Sequence, residues 1–219
     1  METLKRDTIR PRVLIADDHS IVAEGLRAIL DQSCEVIGTV RDGRQLLIDA
    51  AKLKPDVIVL DVGMPLLNGL DAAKRLRPLL PSVKIVFLTM KDDPNLAAAA
   101  LDLGAVGYVL KHSAASELLK AVAEVLQGKS YVTPKLRVEN RATQASRARR
   151  FSSELSPRQK EVLQLLAEGR PMKEVAEILK LSEKTVMFHK YQIMESFNLK
   201  SNADLVLFAL EHHLISRHC

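Results

Sequence analysis

Cysteine is scarce in this chain of 219 residues, and long apolar runs are missing altogether. The only cysteines are Cys34, inside a short apolar run, and Cys219, the last residue. Two thiols so placed fit a reducing compartment better than a disulfide framework. No apolar run approaches the ~18 residues that a membrane-spanning helix needs, so no membrane partner is expected. The opening stretch METLKRDTIRPR is charged, has no apolar centre and does not read as a secretory signal. A cytoplasmic location is the expectation.

Excess charge is also missing from most of the chain. The formal net charge is +5, yet residues 1–134 hold 17 Lys/Arg against 17 Asp/Glu, and residues 151–219 hold 9 against 9. The surplus sits in residues 135–150, KLRVENRATQASRARR, where Glu139 is the one acid. That stretch is polar and lacks apolar periodicity, as a linker does. The expected organisation is therefore a domain over 1–134, a basic linker over 135–150 and a smaller domain over 151–219.

What the first domain does have is alternation. Apolar, β-branched runs at 13–16, 34–40, 57–62, 84–90 and 105–110 are each followed by a helical pattern, at about 20–31, 43–53, 69–78, 94–103 and 114–128. Nearly continuous apolar runs are typical of strands covered on both faces. Five such units predict an α/β fold with a doubly wound, five-stranded parallel sheet. Right-handed crossovers put all the carboxyl ends of the strands along one edge, where ligands bind.

The chemistry-bearing residues fall at those ends: Asp17 and Asp18, Asp61, Thr89 and Lys111. Singly, each has a plain structural reading as a helix cap, a strand residue or a surface lysine. Together they make a set. Three neighbouring carboxylates repel one another, and a hard divalent cation such as Mg²⁺ relieves this through oxygen ligands and water. An ionised Asp61 is then a nucleophile for a phosphoryl group, giving an aspartyl-phosphate. Lys111 offers a positive charge and Thr89 a hydroxyl to the phosphoryl oxygens.

ADDH (16–19), VLDVGMPLLNG (59–69), FLTM (87–90) and GYVLK (107–111) resemble the receiver domain of two-component response regulators over about residues 11–128. The resemblance implies a flavodoxin-like fold and phosphorylation of Asp61 by a sensor histidine kinase. It also implies Mg²⁺ held by Asp17, Asp18, Asp61 and the backbone carbonyl of Gly63. Thr89 and Tyr108 would rearrange on phosphorylation. Two positions depart from the family pattern. His112 stands where many receivers have a cis proline, and a cis bond is disfavoured without proline. Gly63 has no side chain at a position the family ties to phosphate lifetime.

Residues 155–215 carry four helical patterns and no strand pattern. Ser156, Pro157 and Gln159 form a capping-box signature at the first, and Gly169 suits its end. A short second helix and a third beginning at Ser182 are joined by a tight Lys180–Leu181 connection, a plausible helix-turn-helix. On these patterns alone, a protein-binding helical bundle and a DNA reader are near equals. LSPRQKEVLQLLAEG, KEVAEILKLSEKTV, His189 and Ile193 resemble the LuxR-type domain of the NarL/FixJ regulators over about 152–217. This implies that helix 182–196 enters the major groove of double-stranded DNA. Ser182, Lys184, Thr185 and Lys190 would then meet phosphates, and Met187, Phe188 and Tyr191 the bases. Relatives often carry lysine or polar residues at the last group, whereas Met and Phe offer mainly apolar contact, for instance with thymine methyls. The apolar residues Leu205, Val206, Phe208, Ala209 and Leu210 make the last helix a candidate homodimer contact.

The expected function is a phosphorylation-controlled, DNA-binding transcription regulator, not an enzyme beyond its own phosphoryl transfer and autodephosphorylation. The alternative keeps the receiver but has the helical domain bind a protein. Zero net charge there and the apolar Met187 and Phe188 motivate it.

Overall fold

The computed structural model describes residues 10–90, 94–104, 106–113, 115–134 and 155–215. Strands β1 (Arg12–Ala16), β2 (Glu35–Val40), β3 (Val57–Asp61), β4 (Lys84–Thr89) and β5 (Gly107–Leu110) alternate with α1 (Ser20–Leu30), α2 (Gly43–Leu53), α3 (Gly69–Leu79), α4 (Pro94–Asp102) and α5 (Ala115–Leu126). The strand order is β2-β1-β3-β4-β5-β6, and every pairing is parallel. The expected five strands are thus joined by a sixth, β6 (Tyr131–Val132), at the β5 edge. Two residues are too few to show alternation, which is why the pattern at 131–132 was silent.

Alternating side chains feed two cores. Leu14, Ile58, Leu60, Phe87 and Tyr108 pack against α2, α3 and α4. Val13, Ile15, Val59, Leu88 and Val109 pack against α1 and α5. The crossover after β1 places Asp17 and Asp18 beside the end of β3, because β1 and β3 are neighbours. Cys34 lies in the second core as a free thiol.

Four helices follow: α6 (Pro157–Ala167), α7 (Met172–Leu179), α8 (Glu183–Ser196) and α9 (Asn202–Glu211). Ser156 and Gln159 close a capping box on α6, and Ser201 with Asp204 closes one on α9. Each supplies partners to amides that no helical carbonyl reaches. Lys180 adopts a left-handed conformation (φ 53°), and Leu181 N donates to the Ala176 carbonyl, making the tight α7–α8 turn. Val162, Leu165, Val175, Leu179 and Val186 bind α6, α7 and α8 together.

The apolar residues of α9 divide between the domain's own core and its surface. Leu205 and Ala209 are buried in the domain's own core, and Val206 and Phe208 pack against it. Among the described residues of α9, the large apolar side chain left exposed is Leu207, at 54%. The basic linker 135–150, with Arg147, Arg149 and Arg150, lies outside the described residues, as does Cys219. No helix among the described residues is long and apolar enough to cross a membrane.

Candidate functional site

β1, β3 and β5 end at one pocket. Asp61 is the last residue of β3 and Asp17 follows β1; both are buried. The side chain of Lys111, which follows β5, is 4% exposed, and its Nζ lies 2.9 Å from Asp17 Oδ2 and 2.8 Å from Asp61 Oδ2. Ligand atoms of Asp17, Asp18, His19 and Asp61 all lie within 4.8 Å of one another. His19 Nδ1 sits 2.9 Å from Asp18 Oδ1 and 3.3 Å from Asp17 Oδ1.

The electrostatics follow from burial. Loss of solvent pushes the Asp61 carboxyl above its ordinary value. The Lys111 charge and hydrogen bond oppose that push, the Asp17 charge adds to it, and the Gly63 amide, donating to Asp61, works against it. For Lys111 burial acts to lower the pKa, but its pairing with Asp61 and Asp17 outweighs burial, and the net direction is up. Lys111 is therefore held as an ammonium. Three carboxylates and one ammonium leave a net charge of −2, matched by one divalent cation, and carboxylate oxygens suit a hard ion. The donor set fits Mg²⁺.

Thr89 ends β4, is 3% exposed, and accepts through its carbonyl from Lys111 N at 2.7 Å. Tyr108 lies wholly inside the first core. No cis peptide bond occurs among the described residues, His112 included.

A second surface lies on α8. Val186 and Ile193 point into the core. Met187, Phe188 and Tyr191 are exposed at 39%, 58% and 64%. Lys184 is exposed and Lys190 half-buried. Ser182 Oγ accepts from Thr185 N at 3.1 Å and lies 2.8 Å from Thr185 Oγ1, so these two hydroxyls already serve the start of the helix.

Residues 13–123 match the response regulator receiver domain family, and residues 153–209 match the bacterial regulatory proteins of the luxR family. The oxygen regulatory protein NreC of Staphylococcus epidermidis is 39% identical over 215 residues, spanning 93% of this chain and 99% of that protein. The chain belongs to the response regulators of the NarL/FixJ type. Solved structures of similar proteins include the RcsB response regulator of Salmonella typhimurium, at 31% identity and TM-score 0.64, covering 93% of this chain and 98% of that one. RcsB of Salmonella enterica serovar Typhimurium bound to promoter P1flhDC with the phosphomimetic BeF₃⁻ gives 32% identity and TM-score 0.56, covering 91% and 97%.

This response regulator also holds contacts that sequence reasoning missed. Glu161, on α6, is 5% exposed and meets Arg44 at 3.3 Å, Arg75 at 2.5 Å and Arg158 at 2.9 Å. Arg44 and Arg75 belong to the receiver helices α2 and α3. Gln164, 1% exposed, and Glu168 reach the receiver loop after β3. Leu66 of that loop packs against the α6–α7–α8 core. Polar residues on one helix face carry no sequence signal for the domain that will cover them. This docking leaves Phe188 and Tyr191 on the exposed side of α8.

Proposed function

We infer that this response regulator takes a phosphoryl group on Asp61 from a sensor histidine kinase and, in response, binds double-stranded DNA through α8 to control transcription. The observation that carries the reading is the Lys111 ammonium held between Asp17 and Asp61 at 2.9 and 2.8 Å. An Asp61 carboxylate oxygen attacks phosphorus, and the bond from phosphorus to the kinase histidine breaks. Lys111 and Thr89 stabilise charge on the phosphoryl oxygens. Asp17, Asp18, Asp61 and the Gly63 carbonyl would hold Mg²⁺, which supplies positive charge to carboxylates and phosphoryl oxygens alike. Tyr108 and Thr89 are the switch between phosphorylated and resting receiver, shifting an existing equilibrium.

The division into receiver (1–134), linker (135–150) and LuxR-type domain (151–219) belongs to this reading. So do a homodimer in the phosphorylated or DNA-bound form, a cytoplasmic site of action, and the absence of any enzymatic activity beyond the protein's own phosphoryl transfer. The DNA contacts are Ser182, Lys184, Thr185 and Lys190 to phosphates and Met187, Phe188 and Tyr191 to base edges. Support comes from the exposure of that face of α8 and from the promoter-bound RcsB structure.

The test compares operator affinity of wild type and Asp61→Asn with and without a small phosphodonor. Stimulation in the wild type alone is expected; equal affinities in all four samples would overturn the reading. The exposed Met187, Phe188 and Tyr191 also favour a second reading, a protein-binding output. DNA affinity that falls steeply with salt separates the two, since phosphate contacts release counterions and apolar contacts do not.

A further inference from the structure

The loop between β3 and α3 begins at Val62, directly after Asp61, and runs to Asn68, the N-cap of α3. Its Gly63 amide donates to Asp61. Beyond Gly63, much of the loop's backbone is bonded by other elements. Gln164 Nε2 donates to the Met64 carbonyl at 3.0 Å, and Gln164 Oε1 accepts from Asn68 N at 2.9 Å. Glu168 Oε1 accepts from Leu66 N at 3.0 Å and from Gln164 Nε2 at 2.8 Å, which fixes the glutamine's orientation. On the other side, Gly43 N donates to the Pro65 carbonyl at 3.2 Å.

The residue types suit the task. A glutamine amide carries one donor group and one acceptor in a plane, like a peptide group. It therefore closes a carbonyl and an amide of the same loop at once. Leu66 holds a left-handed conformation (φ 64°), unfavourable for a leucine, and its side chain is packed in the core of α6, α7 and α8. The conformation of the loop next to Asp61 thus depends on groups supplied by the other domain.

We propose that Gln164, oriented by Glu168, is a positioning residue for the phosphoacceptor pocket: α6 of the LuxR-type domain holds the loop that carries Gly63, and so sets the divalent-cation affinity of the Asp17–Asp18–Asp61 cluster. This rests on the reading of that cluster as a cation site. By linkage, the cation strengthens docking of α6 by the same factor that docking strengthens cation binding. The pocket and the DNA-reading domain are thereby coupled before any phosphoryl group arrives.

Direct titration of the full chain with Mn²⁺, following free Mn²⁺ by electron paramagnetic resonance, reads this without any phosphorylation. Wild type is expected to bind and Asp61→Asn to bind much more weakly. Gln164→Met keeps side-chain volume and helix preference but loses every amide hydrogen bond, the two to the loop backbone included; its dissociation constant is expected to rise about fivefold or more. Glu168→Ala removes the acceptor behind Gln164 and the partner of Leu66 N but leaves the two glutamine–loop bonds in place, and it is expected to raise the constant less. It also carries the test if Gln164→Met does not fold, as judged by circular dichroism. Wild type and folded α6 variants binding Mn²⁺ equally, while Asp61→Asn binds weakly, overturns the proposal alone. Absence of Mn²⁺ binding by wild type, or equal binding by Asp61→Asn, overturns the cation site and the proposal with it.

Discussion

The acidic pocket and the outer face of α8 are built on opposite principles. In the pocket, polar groups hold one another: the Lys111 ammonium lies between Asp17 and Asp61, and the His19 ring lies against Asp17 and Asp18. On α8, Met187, Phe188 and Tyr191 project into solvent. Preorganised charge is what phosphoryl transfer requires, because fixed dipoles and ions need no rearrangement at the moment of reaction. An exposed recognition surface instead takes its final geometry from what it binds. The pocket's chemistry is therefore stated by the chain itself, and the specificity of α8 only by the chain together with its target.

Asp61→Asn removes the nucleophile, and phosphoryl incorporation from a radiolabelled small phosphodonor is expected to vanish entirely; residual labelling at another residue would show that the pocket does not own the reaction. Lys111→Met leaves Asp17 and Asp61 without their shared ammonium. Its phosphorylation rate under saturating Mg²⁺ is expected to fall by about 10²-fold, the usual cost of one transition-state donor. A rate within twofold of wild type would make Lys111 a structural counter-ion only.

Legibility divides along the same line. The meeting of Asp17, Asp18, Asp61 and Lys111, and the place of Thr89 at the end of β4, were readable because the βα pattern dictates which strand ends adjoin. Gln164 and Glu168 were not, because a polar residue on an amphipathic helix announces nothing about which domain will cover it. Glu161 shows the same blindness: a glutamate near the start of a helix is unremarkable until two receiver arginines converge on it. β6 escaped notice for want of length. The apolar excess on α9 was visible, but its destination was not, since a helix pattern gives a face and not the partner of that face.

Smaller effects are expected on α8. Phe188→Ala is expected to weaken specific DNA binding by about 1 kcal/mol, near the low end for a lost base contact, with nonspecific affinity little changed. Titration of specific and random duplexes at one salt concentration checks this; equal loss on both would assign Phe188 to the phosphate backbone or to folding. Lys184→Ala is expected to weaken all sequences alike and to reduce the slope of log affinity against log salt by about 1. A change confined to one sequence would move Lys184 from the backbone to the bases.

Two glycines next to the loop after Asp61 have a mechanical meaning. A Cβ added at Gly43 would stand 1.9 Å from the Leu67 carbonyl oxygen, and one at Gly69 would stand 2.2 Å from the Asp61 carbonyl oxygen. Backbone presses on backbone at both places, with no flexible side chain between to absorb a shift. Close-packed interiors pass displacement on rather than damp it. A nudge at Asp61 therefore behaves like a push on a rigid strut, felt along its length at Leu66 and at the α6 seat. Any substitution at Gly43 or Gly69 acts as a wedge driven into that strut, and neither position leaves room for one.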